Sequence, residues 1–398
     1  MASKGIKDRV AIVGMGCTQF GEHWDKGPDD LLIESSTDAL AAAGIAKADV
    51  DAFWLGTAMG APSGLTLARP LQLTGKPVTH VINHCATGSE SIRNAAYAIA
   101  SGAYDVAMAI GVEKVKDSGY QGLVGAGRPP TDGTNRTLTA AAMFAMCSPA
   151  YGTKYGVGDE QMREVLARIA WKNHYNGARN SRAQFRREVS MDTICGAPLM
   201  AGGLGVYDCS GVADGSAAAI LVRAEDATRY TDRPIYIKAL SLVAGNCSGN
   251  ADPEYDYTNF PEIAAAGVDA YAQAGITDPR SELAMAEVHD CFTPAELLIY
   301  EDLGFAARGT AWKEVLDGTF DLLGELPVNP DGGLKSFGHP VGASGVRMAF
   351  EAYLQLRGDA PPERTIAHAD RGLALTHNLG GYPGEMVSFV GIFGNRLG

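Results

Sequence analysis

The sequence predicts a layered α/β fold built from two copies of one unit. Three features carry that prediction: strand and helix patterns alternate along the chain, a Gly/Ser-led helix recurs, and each half closes on a pair of strands. The recurring helix is 88–102 (GSESIRNAAYAIASG) in the first copy and 342–358 (GASGVRMAFEAYLQLRG) in the second. The closing strands are 106–111 and 217–222 in the first half, and 371–377 and 386–393 in the second.

Residues 9–14 (RVAIVG) form a short apolar run of strand type, and 29–43 place small and apolar residues at helical spacing until Gly44 stops them. Residues 51–56 and 78–82 read as further strands, followed by a helix over 89–101. The second half repeats the order with a strand at 235–242, a helix at 260–274 ended by Gly275, a strand at 283–288 and a helix at 294–302. Between the halves of the first unit lies an irregular insertion, 116–205, rich in Gly, Pro, Asn and Arg, with one amphipathic helix at 161–172. A connection that long is uncommon in a compact domain unless it has a function. The expected division is 1–115 plus 206–230 as the N-terminal half, 116–205 as the inserted loop domain, and 231–398 as the C-terminal half.

A chain of 398 residues suffices for two such halves around a deep site, and 46% apolar with 20% charged residues excludes disordered and fibrous classes. A formal charge of -13 argues against nucleic acid as a partner. Lys4, Lys7 and Arg9 precede only the short run 10–15, too brief for a signal peptide or a membrane span, so a cytoplasmic location is expected. The seven cysteines show no CxxC or other metal-ligand spacing, so no metal site is expected in this chain. Within 172–187 (KNHYNGARNSRAQFRR), Lys172, Arg179, Arg182, Arg186 and Arg187 form a basic island that can hold phosphates. On charge alone, a solvated surface is the commoner explanation for such an island.

Four segments can carry chemistry. In 83–90 (NHCATGSE), Cys85 lies between an apolar strand and a helix start, where the helix dipole and free N–H groups are expected to favour thiolate. In 288–294 (VHDCFTP), His289 and Cys291 leave a strand on the same side, able to serve as oxyanion donor and proton-transfer group, although capping and core filling explain them equally well. In 332–345 (GGLKSFGHPVGASG), His339 sits in a Gly-rich turn before a helix. That turn is the repeat-equivalent of the Cys85 turn, which places His339 as a base for Cys85. In 376–384 (THNLGGYPG), Gly380 and Gly381 imply a tight backbone approach beside His377, Asn378 and Tyr382.

Taken in order, these segments resemble the thiolase superfamily, and in detail its sterol-carrier-protein-type branch. The resemblance spans nearly the whole chain through Cys-x-Thr-Gly-Ser at 85–89, GVEK at 111–114, KNH at 172–174, DGSAAAIL at 214–221, HDCF at 289–292 and GHPxGASG at 338–345. It implies a five-layer αβαβα fold whose loop domain holds coenzyme A, with Lys172, Arg179, Arg182, Arg186, Gly380 and Gly381 as candidate cofactor-binding residues. It further implies that Cys85 is acylated, that His339 activates it, and that His289 helps form an oxyanion hole.

In most thiolases a second cysteine near the C-terminus moves the proton of the second substrate. Asn378 occupies that place here, so the role passes to Cys291. Tyr382 replaces a glycine, and similar aldolases acting on coenzyme A thioesters use tyrosines, which leaves a retro-aldol lyase as one alternative. A non-catalytic acyl-coenzyme A or lipid-binding subunit is another. The resemblance also implies a homodimer and a small partner with a zinc ribbon and an OB domain.

Overall fold

A computed structural model of the chain describes residues 3–60, 63–118, 139–249 and 252–398. Among them the strands are β1 (Val10–Cys17), β2 (Ala52–Gly56), β3 (Val78–Val81), β4 (Val106–Glu113), β5 (Leu199–Ala201), β6 (Leu204–Gly205), β7 (Gly215–Arg223), β8 (Ile235–Ala244), β9 (Met285–Glu287), β10 (Leu373–Tyr382) and β11 (Glu385–Gly394). The helices are α1 (Pro28–Ala43), α2 (Leu65–Ala68), α3 (Thr87–Ala100), α4 (Ala140–Phe144), α5 (Cys147–Tyr155), α6 (Asp159–Ala178), α7 (Met191–Cys195), α8 (Pro261–Ala274), α9 (Pro279–Glu282), α10 (Thr293–Asp302), α11 (Ala311–Leu316), α12 (Gly333–Phe337) and α13 (Val341–Arg357).

The two copies are visible in the strand order β3-β2-β4-β7-β1-β8-β11-β10-β9. In the first half β4 runs parallel to β2 and antiparallel to β7, which pairs with β1. In the second, β10 runs parallel to β9 and antiparallel to β11, which pairs with β8. The halves join where β1 meets β8 at Ala11–Tyr236 and Ile12–Ile235. The counterpart of β3 is reduced to a single bridge between Ala286 and Val328.

Helix α1 covers β1, β4 and β7, and α8 covers β8 and β11. Helices α3 and α13 pack on each other and on strands of both halves, forming the middle layer of five. Each layer boundary is apolar: Leu31 of α1 joins Phe53 and Ile110, Ile92, Ala95, Val346 and Ala349 fill the middle, and Ile263 of α8 joins Leu297 and Leu298.

Small residues let the middle helices meet at backbone distance. A Cβ on Gly88 would fall 2.7 Å from Gly342 O, one on Gly345 2.4 Å from Ser89 N, and one on Gly111 2.0 Å from Gly342 O. The Gly/Ser openings that mark the repeat are therefore the contact between the two copies.

Three expectations change. The insertion is largely helical, with α4 to α7 and the β5–β6 hairpin; its residues 119–138 lie outside the described residues. Helix α6 runs past Lys172 to Ala178 because its polar residues Lys172, Asn173, His174 and Asn176 are buried, which hides the usual apolar period. Strand β10, expected to end at 377, continues through Gly380 and Gly381, paired with Val387 and Met386, to Tyr382.

Candidate active site

Cys85 stands in a turn between β3 and α3 that its own motif stitches together. Asn83 N donates to Thr87 Oγ1 at 2.8 Å, Thr87 Oγ1 donates to His84 O at 2.5 Å, and Ala86 N donates to Asn83 O at 3.0 Å. His84 takes a φ of 45°, a left-handed conformation that non-glycine residues rarely adopt, and it redirects the chain just before the cysteine.

The structure brings three of the expected residues together. Cys85 Sγ and a ring nitrogen from each of His289 and His339 all lie within 4.8 Å of one another. The imidazoles cross edge to face with centroids 5.2 Å apart. Among the described residues this is the one group of His, Cys and acidic atoms spaced closely enough to grip a metal ion.

Hydrogen bonds set the two rings in opposite tautomers. Ser344 Oγ donates to Pro340 O at 2.9 Å, so its contact with His339 Nδ1 at 2.7 Å requires the ring to donate, leaving an unprotonated Nε2. Ser89 Oγ donates to Asn378 Oδ1 at 2.6 Å, which turns the amide N–H₂ toward His289 Nδ1 at 3.4 Å. His289 then carries its proton on Nε2. Both Nε2 atoms are buried, and among the described residues neither has a partner. One ring offers a lone pair and the other an N–H.

Burial governs the charges. It pushes the Cys85 thiol up to about 12, with the Glu113 carboxylate adding to the effect, although the residue keeps partial exposure. His339 is driven down to about 3 by burial and the Arg347 guanidinium, and His289 falls well below its usual value through burial first and then the nearby His339, His377 and Arg347 side chains, which disfavour a further charge there. The resting pair is thus thiol and neutral imidazole, which corrects the expected thiolate. A helix N-terminus returns roughly 1 kcal/mol, less than desolvation of the sulfur costs.

Cys291 is buried beside this group; burial and then the nearby Cys85 raise its thiol well above the usual range. Asp290 of the same motif turns the other way. Its carboxylate accepts Leu334 N at 2.6 Å, Lys335 N at 3.1 Å and Asn173 Nδ2 at 2.8 Å, capping α12 and holding the approach to His339.

His339 lines a cavity of about 1320 Å³ that also contacts His174, Phe185, Arg186, Arg187, Met200 and Lys116. Arg186 of the basic island is therefore on its wall. Lys172, Arg179 and Arg182 are not: Lys172 Nζ is buried on Glu296 Oε1 at 2.7 Å, Arg179 pairs with Glu188 and stacks on Tyr175, and Arg182 Nε donates to Cys17 O. Lys172 is thus buried in an ion pair, and Arg179 and Arg182, half-buried, are engaged by other parts of the chain rather than by the cavity.

Gly380 and Gly381 also sit off the cavity wall. A Cβ on Gly380 would lie 2.8 Å from His84 Cβ, so its close approach is to the Cys85 turn, and Gly381, with φ 108°, serves the hairpin. His377 is fully buried, its ring nitrogens have no partner among the described residues, and burial holds the ring neutral. Sequence reasoning missed Ser344, His174 and Glu113, although all three lie in motifs it had singled out.

Two pseudo-repeated halves that present a cysteine turn and a histidine turn to each other across paired helices define a thiolase-type protein. The thiolase N-terminal domain model matches residues 10–225 and the thiolase C-terminal domain-like model matches 248–393, and the chain belongs to the thiolase family. It is 35% identical over 386 residues to the acetyl-CoA acetyltransferase of Methanothermobacter thermautotrophicus, covering 94% of this chain and 97% of that protein. It is 32% identical to human sterol carrier protein 2, covering 94% of this chain and 70% of that one. Among solved structures, an Ltp2-ChsH2(DUF35) aldolase superposes with a TM-score of 0.80 at 24% identity over 98% of this chain and 99% of that one, a likeness of fold.

Proposed function

We propose that the chain is a coenzyme A-dependent acyltransferase of the thiolase type, which cleaves 3-oxoacyl thioesters or runs the reverse Claisen condensation through an acyl-Cys85 intermediate. The observation that carries this reading is the cluster of Cys85, His289 and His339 with complementary tautomers. The names of the relatives agree with it.

In cleavage, Cys85 Sγ attacks the 3-oxo carbonyl while His339 Nε2 takes the thiol proton. The N–H of His289 steadies the oxyanion. The carbon-carbon bond breaks, acetyl-coenzyme A leaves as its enolate, and Cys291 protonates that carbon. A second coenzyme A thiol, deprotonated by the Cys291 thiolate, then attacks the acyl-Cys85 carbonyl, and the shortened thioester leaves as Cys85 Sγ takes back its proton from His339. Neutral resting groups suit this scheme, because the base must be unprotonated when the carbonyl arrives.

Coenzyme A would lie in the cavity with its phosphates toward Arg186, Arg187 and Lys116 and its thiol toward His339. The division into 1–115 plus 206–230, 116–205 and 231–398 follows from the same reading. Exposed Phe185, Leu199, Met200 and Val206 near the cavity mouth support docking of a small zinc-ribbon/OB-fold subunit, as does a structural neighbour named together with a DUF35 partner. Homodimerisation through the free edge of β3 and a cytoplasmic location complete the proposal; among the described residues no helix is long and apolar enough to cross a membrane.

The test is intact mass after incubation with acetoacetyl- or acetyl-coenzyme A. One acyl group should appear on the wild-type chain and none on Cys85→Ala. Turnover without any adduct would defeat the acyl-enzyme and point to retro-aldol chemistry.

A further inference from the structure

We propose that Glu113 is the positioning residue of the Cys85–His339 pair: its carboxylate ties the chain just beyond His339 to the turn at 57–59 and so fixes how closely imidazole and sulfur approach. The inference rests on the reading of those two residues as the reacting pair. Glu113 ends β4 and is 1% exposed. A carboxylate that deep is ordinarily matched by a cation. Among the described residues none pairs with it, and the adjacent Lys114 turns to Asp117 and Asp214 instead.

Four neutral donors take the cation's place. Thr57 Oγ1 donates at 2.9 Å, Ala58 N at 3.1 Å, Met59 N at 2.9 Å and Gly342 N at 3.0 Å. A carboxylate has about four acceptor sites, so all are used. Gly342 lies in the first turn of α13, where an N–H has no acceptor in its own helix. It is also wedged against the first half, since a Cβ there would fall 2.5 Å from Val112 O and 2.7 Å from Gly56 O. Glu113 is thus a polar tie at the point where the His339 turn touches the strands that carry Cys85. Its charge is felt at Cys85 itself.

A glutamine of the same size cannot replace it. Its single oxygen accepts two of the four bonds, and its amide would aim N–H at N–H. In Glu113→Gln the helix should still form, because the apolar contacts of α13 are untouched. The His339 turn should loosen. Misplacement on the order of 1 Å costs roughly 10²-fold when the reacting atoms stay bound but misaligned.

The experiment uses the full-length chain with acetoacetyl-coenzyme A. For Glu113→Gln, acyl-Cys85 formation should slow by roughly 10- to 100-fold while KM stays within about threefold. Added acetate should recover part of the rate in Glu113→Ala, and amide hydrogen exchange at 341–344 should speed up in both variants. A wild-type acylation rate in Glu113→Gln overturns the proposal, as does a loss that matches the unfolded fraction by circular dichroism. If Glu113→Ala does not fold, Glu113→Gln alone decides. Absence of an adduct in the wild-type chain would sink the acyl-enzyme reading instead, and the exchange rates at 341–344 would still report whether Glu113 holds the turn.

Discussion

At the scale of single residues, the site works by neutral groups whose protons are placed in advance. Cys85 near 12 and His339 near 3 mean that neither is ionised between about pH 5 and 8. Because the thiol is raised and the imidazole lowered, alkylation of Cys85 by iodoacetamide should climb steadily with pH above neutrality. A plateau across that window would reveal a thiolate–imidazolium pair and refute the neutral one. His339→Ala should slow acylation by roughly 10²- to 10⁴-fold at neutral pH, the range of a lost general base, yet leave alkylation unchanged in strong alkali where hydroxide takes the proton. Asn378→Ala tests the second tautomer: without the amide, His289 is free to move its proton to Nδ1. Acylation should fall roughly 10-fold with KM unchanged, less than the 10²- to 10³-fold for an oxyanion donor removed outright. An unaltered rate would mean that Asn378 does not orient His289. The residue types of this site were legible in the sequence because Cys85, His289 and His339 each sit in a motif. Their ionisation was not, because desolvation is set by neighbours far away in the chain.

At the scale of elements, the decisive contact is glycine on glycine between α3, α13 and the ends of β2 and β4. Gly111→Ala would drive a methyl group to 2.0 Å from Gly342 O, with backbone on both sides and no side chain free to yield. Overpacking of this kind costs about 1–3 kcal/mol and should appear as a lower urea midpoint. Because the displaced element carries His339, acylation should drop even at temperatures where the variant stays folded; full activity in the folded variant would separate this contact from the site. The same glycines made the repeat readable, since close approach leaves a compositional trace that needs no alignment. Elements defined by polar contacts left no such trace. The C-terminal half of α6 is held by Lys172 on Glu296 and by Asn173 bridging Asp290 and Glu296 at 2.8 and 2.7 Å. In the sequence those residues look like an exposed basic stretch, which is why Lys172 was placed on a ligand rather than in a buried ion pair. Helix α12 was hidden for a related reason: its cap is Asp290, more than forty positions away.

At the scale of the molecule, the sheet has one edge that invites a second copy. Among the described residues β3 pairs only with β2, and Met59, Leu65 and Ile82 around it are 52%, 74% and 60% exposed. An open strand edge flanked by large apolar side chains is costly to leave in water and readily recruits another strand. In the proposed homodimer this edge leads directly to chemistry. Residues 57–59 follow β2, His80 of β3 contacts Thr57 O through Nε2 at 2.9 Å, and the same turn donates three hydrogen bonds to Glu113, which holds Gly342 beyond His339. Ile82→Asp places a charge on the edge three residues before Cys85 without touching any group of that relay. Sedimentation should then report a monomer, because burying an unpaired carboxylate costs more than a single apolar contact returns. The monomer should also acylate more slowly, roughly 10-fold, as the unsupported 57–59 turn lets the His339 loop relax. A monomer with undiminished acylation would show that the relay stands without its neighbour, and an intact dimer would place the interface on another face.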